Sequence, residues 1–381
     1  MFRFLIPLLL LILLPDLYIW WNFTRLQAGI WRSILLFAPT ILALLCLLLL
    51  LCQVRVGLLM QVAFLLFICI AVPKLVFVIF DLLGRGTGFF SHAAALWFTR
   101  MGIIMAVLTA SVQIYASLFG WQRIETKVTH IGMSNLPKAF EGYRIVQISD
   151  LHVGSYAGDD RFVRRMVDSV NAQKPDLIVF TGDIVNASSE ELPPYLDALS
   201  RLKAKDGIYA ILGNHDYCLY HPGLTPVQQA TELRHIINME RSLGWQVLLN
   251  ENRPVTRKGD TLYIAGVENI GKPPFPERGD LHKAMNGIPP TACTILLSHD
   301  PWHWRHGIWG ETSVHLTLSG HTHALQMQIG SFSPAQWLMP EWGGLYRHGN
   351  QQLYVSTGIG GSVPYRLGAW PKVEVIILNK H

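Results

Sequence analysis

The sequence predicts an α/β domain over residues 143–381, preceded by an all-α membrane region of about four helices over residues 1–120. A linker and leading strand at 121–142 join the two. Three observations predict this. Charge is nearly absent from the first 120 residues, where long apolar runs follow one another. From residue 144 onward, short apolar runs of strand length alternate with amphipathic helical patterns. Asp, His and Asn recur at the ends of those runs, in five short blocks.

The membrane region comes first in the chain. Residues 4–21 are apolar apart from Asp16. They are just long enough for a bilayer core of roughly 30 Å, which needs about 20 residues of helix. A cleaved signal peptide is the competing reading. The single Arg3 ahead of the run and the lack of a small-residue cleavage site favour a retained helix. Tyr18, Trp20 and Trp21 suit a membrane interface. Residues 33–52 form a second expected span. Residues 57–80 form a third, interrupted by Pro73 and Lys74. Lys74 is either a functional charge inside the span, or the span ends near Val72 and Lys74 reaches the interface. Residues 101–120 form the fourth span, with Ala106, Ala110, Ser111 and Ala116 offering close helix packing. Residues 84–99 between them are glycine-rich and then apolar, and read as a loop, a re-entrant piece or an interfacial helix.

The first 120 residues carry seven positive and two negative side chains, the whole of the net charge of +5. The remaining 261 residues are balanced, so no nucleic-acid partner is expected. With four spans, Lys and Arg divide four against four across the bilayer, and the charge rule leaves sidedness open. The five cysteines show no CxxC spacing and no disulfide framework, which favours a reducing, cytoplasmic side for the C-terminal domain. The expectation is a multi-pass protein of a bacterial inner membrane.

In the C-terminal domain, residues 121–131 alternate polar and apolar, as an edge or linking strand does. Strands are expected at 144–148, 177–181 and 208–212, with helices at 159–173, 189–203 and 227–243. Shorter strands follow at 246–250, 261–266, 294–298, 314–319, 352–356 and 373–378, with few helical patterns between them. In a sheet of this parallel character, sites form at the carboxyl ends of the strands, where the five blocks fall. They are Asp150-Leu151-His152, Gly182-Asp183, Gly213-Asn214-His215-Asp216, Ser298-His299-Asp300 and Gly320-His321-Thr322-His323.

These residue types suit hard or borderline divalent metals. Asp150 and His152 are two apart, as are His321 and His323, so on extended backbone each pair points one way. Asp150, His152, Asp183, Asn214, His299, His321 and His323 make seven candidate ligands. That is too many for one ordinary ion and suits two sharing a carboxylate.

The order DxH, GD, GNHD, H, GHxH resembles the calcineurin-like metallophosphoesterase superfamily over roughly residues 143–381. It resembles most nearly the membrane-tethered branch of transmembrane metallophosphoesterases and bacterial phosphodiesterases, through Gln147 to Gly154, Gly344-Leu345-Tyr346, Leu353 to Gly360 and Pro364-Tyr365-Arg366. One departure stands out. That branch continues after its last His with Gly-Gly-Gln, and here the residues are Ala324-Leu325-Gln326. The resemblance implies a four-layer α/β/β/α sandwich. It implies that Asp150, His152 and His323 hold one metal, that Asn214, His299 and His321 hold the other, and that Asp183 bridges. Manganese, iron or zinc would serve as the two divalent ions. It places His215 beside the phosphate, where a His can protonate a leaving alkoxide. Asn214 and His215 would then also contact substrate. Asp216 either orients His215 or is a structural turn residue. Asp300 is a candidate carboxylate behind a ligand. Arg366 either binds a substrate phosphate or makes a structural ion pair.

His303, His306 and His315 read as helical or core residues. His221, His235, His282 and His348 read as surface residues. The dense tryptophans Trp302, Trp304, Trp309, Trp337, Trp342 and Trp370 are core or an apolar face that meets lipid. The expected function is a membrane-anchored phosphoesterase, more a phosphodiesterase than a monoesterase. Its substrate carries a phosphodiester or pyrophosphate bond, with a lipid-linked phosphate suggested by the membrane tether. The alternatives are a membrane sensor or transporter that uses the domain for regulation, and an inactive metal-binding module. Scarce intramembrane charge argues against transport, and the intact ligand set with His215 argues against inactivity.

Overall fold

The computed structural model describes residues 2–26, 30–51, 56–221, 223–273 and 275–380. The chain divides into two compact units, with the boundary between Phe119 and Gly120.

The first unit is helical. Helix α1 (Phe2–Ile19) continues through a π-helical turn at Trp20–Thr24, and α2 spans Ile30–Leu51. Helix α3 (Val56–Leu66) passes through a π-helical turn at Phe67–Ala71 into α4 (Val72–Gly88), and α5 spans His92–Leu118. Among the described residues, three helices are long and apolar enough to cross a membrane: Ile30–Leu49, Leu59–Gly88 and His92–Gln122. Three of the four expected spans correspond to these helices. The first helix offers only a shorter apolar stretch, Leu9–Thr24, and the start of the expected first span lies outside the described side chains. Cys52 and Arg55 also lie outside the described residues.

Segment 84–99 comprises the last turn of α4, a tight turn at 89–91 and the first two turns of α5. Ser91 caps α5, its Oγ accepting from Ala94 N at 3.3 Å. Gly84 permits the close approach, because a Cβ there would stand 2.9 Å from Ala95 O. The helix continues past Val72 to Gly88, and Lys74 turns toward its neighbours. Its Nζ donates to Asp16 Oδ1 at 2.6 Å and to Leu36 O at 2.7 Å, and Thr40 completes the buried Asp16. Asp81, also buried, accepts from Tyr18 at 2.6 Å, Thr99 at 2.7 Å and Arg85 at 2.9 Å. A buried carboxylate is tolerable where such partners replace water.

The second unit begins with β1 (Glu125–Met133) and β2 (Arg144–Ile148). Next come α6 (Arg161–Ala172), β3 (Leu177–Phe180), α7 (Leu196–Leu199), β4 (Ile208–Ala210), α8 (Pro226–Ser242) and β5 (Gln246–Val247). Then follow β6 (Glu251–Arg257), β7 (Asp260–Gly266), α9 (Leu281–Met285), β8 (Thr294–Leu297) and β9 (Leu316–Ser319). The chain closes with β10 (Gly344–His348), β11 (Gln351–Val355) and β12 (Lys372–Lys380). Two six-stranded sheets result, ordered β1-β12-β2-β3-β4-β5 and β10-β11-β9-β8-β7-β6.

Strands β2 to β5 are parallel, as are β7, β8, β9 and β11, while β12, β6 and β10 run antiparallel to a neighbour. Side chains alternate faces along each strand, and the cores follow. Ile145, Val179, Ile264, Ile295 and Leu316 lie between the sheets. Val146, Ile178 and Phe180 face α6 and α8 with Val163, Val167 and Ile236. Leu296, Ala265 and Leu353 face Trp304, Ile308 and Ala284. The layers are therefore α/β/β/α.

Three details differ from expectation. The helix expected at 189–203 is broken into short turns, because Pro193 and Pro194 stop one helix and start another. Strand β6 was not expected, since Pro254 and four charged or amide side chains hide its alternation. It lies at a sheet edge, where a proline costs no ladder bond. Strand β10 occupies the other edge of the same sheet and was likewise not expected.

Candidate metal centre

All five blocks leave the carboxyl ends of parallel strands: Asp150 and His152 after β2, Asp183 after β3, Asn214 after β4, His299 after β8, and His321 and His323 after β9. Five of the seven candidate ligands do not continue an extended strand. Asp150, His152, Asp183, His321 and His323 have φ between 49° and 73°. Non-glycine residues held in this left-handed region mark sites over-determined by their surroundings. The extended-backbone argument for the two i, i+2 pairs is thus replaced: each pair converges through two left-handed turns. Gly213 is needed beside them, because a Cβ there would overlap the backbone and carboxylate of Asp183.

The side chains form two groups. Asp150, His152, Asp183 and His323 present donor atoms within 4.8 Å of one another, and so do Asp183, His299 and His321. Asp183 belongs to both. Its Oδ2 lies 3.2 Å from His299 Nε2 and 3.6 Å from His152 Nε2, while Oδ1 accepts from His215 N at 2.8 Å. Asn214 Oδ1 lies 2.8 Å from His321 Nδ1 and 3.2 Å from His299 Nε2. The rings of His152 and His323 meet nitrogen to nitrogen at 3.2 Å, and Asp150 Oδ1 lies 3.4 Å from His323 Nε2.

Outer partners set the orientations. His299 Nδ1 lies 2.7 Å from Thr181 O, so that Nδ1 donates and Nε2 faces the group. His321 turns its Nε2 toward Asp300 Oδ2, at 3.7 Å, so the carboxylate next to His299 in sequence stands behind His321 in space.

The electrostatics are those of charge held without water. Burial, followed by repulsion from Asp183, raises Asp150 to about 6. Burial would likewise raise Asp183, but the charges of His299, His215 and His152 hold it well below the usual range. Burial would lower His299, yet Asp183 and Asp150 outweigh it and hold it at about 10. Burial and then His215 push His152 down to about 3, and burial with His152 depresses His323. Imidazoles and carboxylates converging in a buried place, with His299 and Asp150 as the groups that must give up a proton, are the donor set that a divalent cation completes. The residues present fit such ions, with no thiolate among them.

The remaining candidates sit apart from these groups. His215 is half-buried, its ring 4.6 Å from that of His152. Its Nδ1 lies 2.6 Å from Asn186 O, which leaves Nε2 as the ring's free position. Asp216 does not touch the His215 ring. Its carboxylate accepts from the amides of Gly213 at 2.8 Å, Asp183 at 2.9 Å and Ile184 at 2.9 Å, tying the β3 and β4 turns together. Arg366 is buried, and its guanidinium donates to carbonyls of Thr357 at 2.8 Å, Ala369 at 3.0 Å and Gly360. Nη2 also lies 3.4 Å from His323 Nδ1. His303 is buried with its Nδ1 2.9 Å from Ser298 Oγ. His306 stacks on Trp302, and His315 faces Asn135. Of the tryptophans, Trp304 is buried and Trp337 exposed.

Three residues were not singled out by sequence. Tyr220 accepts from Asn214 Nδ2 at 2.9 Å and its ring lies 4.3 Å from His215. Asn186 holds His215 through its carbonyl, and Phe275 meets the His321 ring edge-on at 4.7 Å. Tyr220 follows the GNHD block by only four residues, which is the one sequence signal available.

A four-layer sandwich that gathers two Asp/His groups around one shared carboxylate defines a metal-site α/β domain. A family model for calcineurin-like phosphoesterases matches residues 143–325. The chain is 30% identical over 277 residues to the metallophosphoesterase YkuE of Bacillus subtilis, covering 70% of this chain and 89% of that protein. It is 29% identical over 290 residues to a transmembrane protein with metallophosphoesterase domain from Danio rerio, covering 74% of this chain. It is 28% identical over 297 residues to the UDP-2,3-diacylglucosamine pyrophosphatase LpxG of Chlamydia trachomatis, covering 63% of this chain and 85% of that protein. The chain belongs to the calcineurin-like phosphoesterase family, whose members bind divalent metals. It spans 63% of the length of the Danio rerio relative.

Proposed function

We propose that this protein is a membrane-anchored, metal-dependent phosphohydrolase that cleaves a phosphodiester or pyrophosphate bond, with a lipid-linked phosphate as substrate. The observation that carries the reading is the sharing of Asp183 between two buried Asp/His groups. Divalent ions held there would place Lewis-acid charge on the phosphoryl oxygens and ease deprotonation of the attacking water. Asp150, His152 and His323 would hold one ion and Asn214, His299 and His321 the other, with Asp183 common to both groups. His215, fixed through Nδ1 by the Asn186 carbonyl, presents Nε2 as the proton donor to the leaving oxygen. Asn214 and His215 together contact the phosphate, with Tyr220 holding both in place. The lipid-linked substrate is supported by the apolar helices of the first unit and by the likeness to LpxG, whose name describes a diacylglucosamine pyrophosphatase.

The test uses the full chain in detergent, with bis-aryl phosphate, mono-aryl phosphate and a lipid-anchored pyrophosphate, each with Mn²⁺ and with chelator. Metal-dependent turnover of diester and pyrophosphate above monoester is expected. No metal-dependent turnover of any of the three would remove the enzyme reading. Turnover of the monoester alone would remove the proposed bond type.

A further inference from the structure

We propose that residues 324–340 form a rigid apolar strap that seats the second unit on a lipid bilayer beside the metal centre. Between His323 and Glu341 there is no Lys, Arg, Asp or Glu over 17 consecutive residues. Nine large hydrophobics of the second unit are exposed among the described residues, and five of them lie here: Leu325, Ile329, Phe332, Trp337 and Leu338. Ile329 is 71% exposed and Trp337 74%. Scattered single hydrophobics need no explanation, but five within 14 residues are concentrated rather than scattered.

The strap is held in shape. Ser333 Oγ donates to Ala324 O at 2.7 Å, and Thr322 Oγ1 donates to Trp342 O at 2.6 Å. Ile329 and Phe332 close a turn through two backbone bonds of 2.8 and 3.0 Å, and the Phe332 and Trp337 rings pack at 5.4 Å. The apolar side chains therefore stand outward on a fixed frame. They are not waiting to fold into the core.

The occupant is argued from where the chain enters this unit. Gly120, its first residue, lies against Arg366 O, with no room for a Cβ. The next residue, Leu367, exchanges backbone bonds with the strap, donating to Gln326 O at 2.9 Å and accepting from Gln328 N at 2.7 Å. The start of this unit and the strap thus both pack against the Arg366-Leu367 stretch. An uncharged face with an outward Trp beside that stretch matches a bilayer interface. Leu325 shares a short turn with His323, so the bilayer surface would lie at the edge of the ligand cluster.

The inference rests on the membrane-anchored reading, and the experiment separates the two. The full chain carrying Ile329→Cys is labelled with an environment-sensitive fluorophore and reconstituted in phosphatidylcholine vesicles with and without doxyl-labelled lipid. Leu338→Cys repeats the measurement. Val227→Cys, 76% exposed on α8, is the distant comparison, and the unsubstituted chain sets the background. Emission at both strap positions should fall by about half or more with doxyl lipid, with Val227 unchanged. Strap probes that behave like Val227 would overturn the docking. Strap probes that are shielded but insensitive to doxyl lipid would also overturn it, because protein rather than lipid would be the cover. Loss of the chain from vesicles under alkaline wash would overturn both readings, whereas retention with a wet strap overturns the docking alone.

Discussion

At the scale of single residues, the centre depends on which proton each group holds. The proton-transfer role proposed for His215 rests on a ring that lies outside the two ligand groups. His215→Ala should keep its metal content and lose activity by about 10²–10⁴-fold toward alkoxide leaving groups. The loss should be much smaller toward nitrophenolate. Equal losses on both, or loss of metal, would remove the general-acid role. The titrations of the buried groups give a second prediction. Without metal, Asp150 sits near 6 and His299 near 10. Both are raised, so both favour the protonated, metal-free fold at low pH and give up that stabilisation as pH rises. Asp183, depressed, works the opposite way but is already ionised above its ordinary range. Metal must displace the protons on Asp150 and His299. The rise in Tm on adding Mn²⁺ should therefore grow from pH 5 to pH 8, with proton release in calorimetry across buffers of different ionisation enthalpy. A Tm increment that is flat or falls with pH would contradict the assigned protonation. Arg366 supplies the contrast. Its guanidinium bonds carbonyls, so Arg366→Lys should lower Tm and leave KM unchanged. A raised KM at unchanged Tm would favour the substrate contact instead.

At the scale of elements, strand ends and turns carry the site, and the Asp216 carboxylate is their tie. Asp216→Ala leaves three well-bonded buried amides without an acceptor and should cost about 3 kcal/mol or more. It would be read as a Tm drop in metal-free protein with His215→Ala unaffected. An unchanged Tm would show that the β3 and β4 turns hold without it. The elements also show how far sequence alone carries. Strand ends were legible because buried parallel strands are continuous apolar runs and the ligands interrupt them abruptly. The left-handed backbone at Asp150, Asp183 and His321 was not, since nothing in an Asp or His states its φ. Strand β6 was hidden by its polar, proline-bearing edge position, and Pro193-Pro194 was passed over within a helical pattern. The pairing of Lys74 with Asp16 is a contact over 58 positions, which no local pattern encodes. The roles of Asp216 and Arg366 stood open in the sequence for the same reason. A carboxylate beside a His and an arginine near a site have several partners in reach until the turns are drawn.

At the scale of the whole molecule, an apolar helical unit with buried, paired charges is joined to a sandwich whose ligand cluster lies beside an uncharged strap. The order of the five blocks and the break in texture near residue 120 made this organisation legible, while the strap was visible only once Trp337 was seen to face outward. The central claim is that Asp183 joins two metal sites. It is tested most directly by metal analysis of the purified full-length chain after loading with Mn²⁺ and removal of free metal. The account predicts two ions per chain, one in Asn214→Ala, and less than one in Asp183→Ala. A single ion per chain, kept when Asp183 is replaced, would contradict it.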